Sequence, residues 1–161
     1  LALLLAKLLH ISLQVWFAMQ GEMSATVFFH PRPYTSLVEI IKRDIAAGRP
    51  DADLVRKHTR VGVSTNFNKL CACVLMDLVD PVQYLSQLPA AMKPLMHKFN
   101  TSAIQELYQT VDLIGISSYA SILANFKGEN LEDAIWQFDQ ELSVFGVNLK
   151  DLIHKQQKVR P

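Results

Sequence analysis

Val111-Asp112-Leu113-Ile114-Gly115-Ile116-Ser117-Ser118-Tyr119, VDLIGISSY, is the stretch on which the fold turns. It is a short run of β-branched and apolar residues that opens on an acid and closes on hydroxyls, and it is the clearest strand in the chain. Two earlier runs share its character. Leu13 to Met19 is continuous, β-branched and aromatic, the pattern of a strand covered on both faces. Arg60-Val61-Gly62-Val63-Ser64-Thr65-Asn66 is the other, with a polar exit at Asn66, Asn68 and Lys69.

Working outward, the segments around these strands read as helices. Leu1 to His10 has helix composition. Pro31 and Pro33 mark a loop, and Thr35 is then placed to cap a helix whose Leu37, Ile40, Ile41 and Ile45 share one face until Gly48 and Pro50 stop it. One or two helical turns follow from Asp51 to His58. Pro81, Pro89 and Pro94 punctuate the next stretch. Thr101 to Gln109 then forms an amphipathic helix with Ile104, Leu107 and Tyr108 on its apolar side. Asn130 is placed to cap a long helix through Phe145, on which Ile135, Phe138, Leu142 and Phe145 recur at helical spacing. Gly146 ends it, and Asn148 starts a last helix holding Leu149, Leu152 and Ile153. Trp16, Met23, Phe28, Phe29 and Phe67 read mainly as core. Helices alternate with strands and no Asn-Gly or Asp-Gly hairpin turn intervenes. The class is therefore α/β, with a parallel sheet and right-handed crossovers, either open and doubly wound or part of a barrel.

Composition narrows the partners. The chain has 161 residues, 50% of them hydrophobic, enough for one domain with a sizeable core. Net charge is +1 and the basic residues are scattered without interleaved aromatics, which excludes a nucleic-acid surface. Lys7, His10 and Gln14 interrupt the first apolar run, so it reads as helix and strand rather than as a membrane span or signal peptide. Cys71 and Cys73 are one residue apart, too close for a comfortable disulfide, and lack the second pair a structural zinc site needs. No metal is expected. The chain opens inside an apolar periodic segment without a helix cap and stops where a fourth strand would begin. The expectation is one domain over 1–161, a segment truncated at both ends.

A nucleotide-binding sheet would carry a glycine-rich loop at its first strand-to-helix turn. Here Gly62 and Gly115 lie inside strands and begin no such motif. In a parallel barrel the carboxyl ends of the strands build the site. Those ends are Gln20-Gly21-Glu22, Asn66-Phe67-Asn68 and Ser117-Ser118-Tyr119. One acid with amides, hydroxyls and aromatics suits a sugar, whose hydroxyls pair with amides and acids while its ring faces lie on aromatic side chains.

The phrase VDLIGISSYA resembles the sixth strand of (β/α)8 glycoside hydrolases of the clan that cleaves with two glutamates. It resembles in particular the endo-β-1,4-galactanase-like branch, where an Asp-x-Ile-Gly-x-Ser-x-Tyr segment recurs. On that resemblance VWFAMQGEM corresponds to the fourth strand and RVGVSTNFN to the fifth. The chain is also similar to a group of uncharacterised green-algal barrel proteins that carry GEM and NFN segments. The resemblance implies a partial TIM barrel covering about strands 4 to 6, hydrolysing O-glycosidic bonds in a polysaccharide without a cofactor. Glu22 is implied as general acid/base, with Gln20, Asn66, Asn68 and Tyr119 as substrate contacts. A glycan-degrading parent would be secreted.

The family places asparagine just before its acid/base glutamate, where this sequence has Gly21, with Gln20 one residue earlier. Retaining glycosidases hold two carboxyl groups about 5 to 5.5 Å apart and inverting ones about 6.5 to 9.5 Å apart. In the resembled clan the second carboxylate ends the seventh strand, so this segment alone is expected to be inactive. Asp112 enters its strand at the wrong end. Glu129, Glu132, Asp133, Asp139 and Glu141 sit on or before a helix, where a solvated face or a favourable charge at the helix start accounts for them. The residues also leave open a non-catalytic barrel relative that binds carbohydrate or protein, and a small doubly wound α/β binding module.

Overall fold

Three parallel strands organise the chain, whose computed structural model describes residues 14–19, 24–66, 81–117 and 129–158. β1 (Val15–Ala18), β2 (Thr59–Asn66) and β3 (Leu113–Ser117) pair in the order β1-β2-β3. Between the first two lie α1 (Ser24–Phe29), α2 (Pro31–Asp44) and α3 (Ala52–His58). α4 (Pro81–Met92), a 3-10 turn (Met96–Lys98) and α5 (Thr101–Thr110) separate β2 from β3, and α6 (Glu129–Ser143) and α7 (Leu149–Lys158) follow. The alternation expected of an α/β chain and the parallel pairing are both observed. The helix expected over 1–10, and Cys71 and Cys73, lie outside the described residues.

Register divides the sheet into two unlike faces. Phe17 pairs with Val61, Val63 with Ile114 and Thr65 with Ile116, and because alternate residues of a strand point opposite ways these share one face. Val61 and Val63 are buried there, and Ile114, Ile116 and Met19 pack against them. The same core takes Val27 and Phe28 from α1, Val38 from α2, Leu88 and Met92 from α4, Ile104, Leu107 and Tyr108 from α5, and Phe138 and Leu142 from α6. An aromatic chain runs through it, with the rings of Phe28 and Phe145 at 4.6 Å and those of Phe99 and Phe145 at 5.2 Å. On the second face Trp16, Ala18, Gly62, Ser64, Leu113 and Gly115 follow one another in register, and none of them joins the core formed among the described residues.

Several expectations are corrected. β1 forms, but it is not covered on both faces: Val15, Trp16, Phe17 and Ala18 are all exposed, Trp16 at 73%, because β1 is an outer strand of the described sheet. Phe29 is exposed as well, while Phe28 is fully buried. Pro31 and Pro33 do not mark a loop. They occupy the first turn of α2, where no intrahelical amide donor is needed and the fixed proline φ suits the helix. Thr35 is consequently inside the helix rather than its cap, and its hydroxyl donates to the Pro31 carbonyl at 3.2 Å. The buried stripe of α2 is Pro31, Thr35 and Val38, which leaves Leu37 and Ile40 exposed. Pro89 lies within α4, a helix the proline punctuation concealed.

Toward the end of the chain, Asn130 is the second residue of α6 rather than its cap, and Ile135 is exposed. Glu141, expected on a solvated face, is buried at 1%, one position before the buried Leu142. Asp139 accepts the Leu149 amide at 2.9 Å and so holds the start of α7 against α6. Asn148 caps α7 as expected, accepting from the Asp151 amide at 3.1 Å. Gly146 reverses the chain between the two helices with φ of 73°. The Gln105 amide donates to the Phe145 carbonyl at 3.0 Å and occupies the space a side chain on Gly146 would need.

Candidate functional site

Parallel pairing puts the carboxyl ends of all three strands on one side of the sheet. Asn66 closes β2, with its backbone in register with Ser117 at the end of β3. β1 finishes four residues short of them, where Ala18 pairs with Gly62, and its extension is tied to β2 by the Met19 amide donating to the Gly62 carbonyl at 3.0 Å. Of the five residues singled out in the sequence, Asn66 alone falls in a described element. Gln20, Glu22, Asn68 and Tyr119 lie outside the described residues, as do Met23 and Phe67. In the chain, Gln20 and Glu22 fall between the end of β1 and Ser24, where α1 starts, while Asn68 and Tyr119 each follow a strand end by two residues.

The amino ends of the strands carry the best-defined polar cluster. Lys42, from the last turn of α2, donates to the Thr110 carbonyl and pairs with Asp112 at 2.8 Å. The Asp112 carboxylate also accepts the Val61 amide at 3.2 Å, while the Asp112 amide donates to the Val61 carbonyl at 2.8 Å. Asp112 thus clamps the start of β2 to the entry of β3, and the expectation that it stands at the wrong end for sugar chemistry agrees with this position.

Arg56 and Arg60 line the same cleft as Lys42 and Asp112. Arg60 donates to the Lys57 and Thr59 carbonyls, both at 3.0 Å, and Arg56 pairs with Asp53 at 3.3 Å. Lys42 and Arg60 satisfy carbonyls left open at helix ends, at Thr110 and Lys57, so these two cations do structural work in the cleft. At the surface, the Arg43 and Arg49 guanidiniums hydrogen-bonded to Asp44 and Asp51 hold those carboxyls below their ordinary value.

Two buried hydroxyls sit on the helix-covered face. Thr65 is fully buried near the end of β2 and Tyr108 is 1% exposed in α5, and among the described residues neither oxygen reaches a partner at normal hydrogen-bond geometry. Burial pushes the Tyr108 phenol well up, and the nearby Thr65 hydroxyl draws it only partly back. Sequence reasoning did not single out this pair, the buried Glu141 or the partner of Asp112. Helical spacing could have found Glu141, three residues beyond Phe138 on the buried stripe. The Lys42–Asp112 pair, 70 residues apart, left no local signal.

No family model, curated protein or solved structure matches this chain. Among the described residues, no three His, Cys, Asp or Glu side chains converge to hold a metal ion, and no helix is long and apolar enough to cross a membrane.

Proposed function

We propose that this chain is a segment of a glycoside hydrolase-like (β/α) barrel acting on O-glycosidic bonds of a polysaccharide. Glu22 is the general acid/base in this reading, and Gln20, Asn66, Asn68 and Tyr119 contact the sugar. The observation that carries the proposal is the asymmetry of the sheet. Among the described residues its core face packs against the helices, while the opposite face, which carries the small Ala18, Gly62, Ser64 and Gly115 beside Trp16 and Leu113, does not join that core. An open doubly wound sheet packs helices on both faces, whereas a barrel keeps its helices outside and turns the second face inward. Sequential strand order agrees with a barrel wall. On this reading the Glu22 carboxyl protonates the leaving glycosidic oxygen, and a second carboxylate attacks the anomeric carbon or activates water.

Glu22→Gln in the longest chain the gene encodes, assayed on β-galactan and related glycans, is the test. The expected result is a loss of about 100- to 10,000-fold in turnover with glycan binding retained, the range general acid–base catalysis contributes. Unchanged hydrolysis in the variant would remove Glu22 from the chemistry. A second reading, a barrel relative that binds carbohydrate or protein without cleaving it, is favoured by Gly21 standing where the resembled family has asparagine. Glycan binding by an unmutated protein that hydrolyses none of these substrates would establish it.

A further inference from the structure

We draw no further inference here: the strongest candidate, the apolar groove between β3 and helices α6 and α7 lined by Leu113, Ile114, Ile116, Ile135, Leu152 and Ile153, is an unpartnered face and nothing in the structure shows what covers it.

Discussion

A β-carbon on Gly62 would overlap the carbonyl oxygen of Leu113, its register partner in β3. Backbone cannot swing aside as the end of a side chain can, so Gly62→Ala must part β2 from β3 where they pair. The expected cost is about 3 kcal/mol or more, the scale of severe overpacking. Gly115→Ala is the internal comparison. Its β-carbon would approach the Ser64 side chain, at 3.1 Å from Oγ, and a side chain can yield, so about 1 kcal/mol is expected. Urea denaturation of both variants checks the ranking, and equal losses would mean that Gly62 is not a close-approach site. Tyr108 gives a residue-scale prediction in pH. Burial disfavours its phenolate, so its folded pKa lies above the value of about 10 for a free phenol. The stability tied to its protonated form is intact below about pH 10 and is lost as pH rises through the raised folded value, because the unfolded chain releases that proton first. Alkaline absorbance titration should therefore show one of the four tyrosines ionising only as the protein unfolds, and Tyr108→Phe should remove that component.

Helices and strands meet at Asp112, whose carboxylate serves both Lys42 of α2 and the Val61 amide of β2. Each member of the ion pair is one-third exposed, so water screens the charge–charge part. Asp112→Ala should cost about 1 to 2 kcal/mol, most of it from the stranded amide. Asp112→Asn keeps an acceptor for Val61 and should cost about half as much. A double-mutant cycle with Lys42→Met reads the coupling directly, and a value near zero would make the pair ornamental. For α7, Asn148→Ala removes the acceptor of the Asp151 amide and should cost about 1 kcal/mol in thermal or urea unfolding. Elements were legible where one physical signal dominated. Ile104, Leu107 and Tyr108 mark α5 by spacing alone, and all three are buried. They were obscured where one residue type serves two purposes. Pro31 and Pro33 open a helix as readily as they break one, and Thr35 can cap a helix or return its hydroxyl to the Pro31 carbonyl four residues back. The apolar residues of α2 suggested a stripe through Leu37 and Ile40. Contact with the core instead selected Val38 and the less apolar Thr35, a choice made by neighbours far away in sequence.

For the whole molecule, sheet class was readable because parallel pairing follows from strand-helix alternation without hairpins, whereas the site was not, because strand patterning ends where the connections after Asn66 and Ser117 begin. What register adds is the unequal treatment of the two sheet faces, and this has a consequence in solution. Parallel strands are stable when both faces and both edges are covered. Among the described residues β1 and β3 are the outer strands, and the large side chains of β1, Val15, Trp16 and Phe17, are exposed. An apolar outer strand of that kind recruits another copy by edge pairing. The 161-residue chain by itself should therefore self-associate, with light scattering giving a mass above the 18.2 kDa monomer that grows with protein concentration. Trp16→Lys should lower that mass without weakening the fold, since Trp16 is 73% exposed and lies outside the core of the described residues, and a charge on an outer strand opposes pairing with its own copy. A concentration-independent monomer with a single cooperative melt would mean that the sheet is already closed off, and would favour the compact binding module over a wall of a larger barrel.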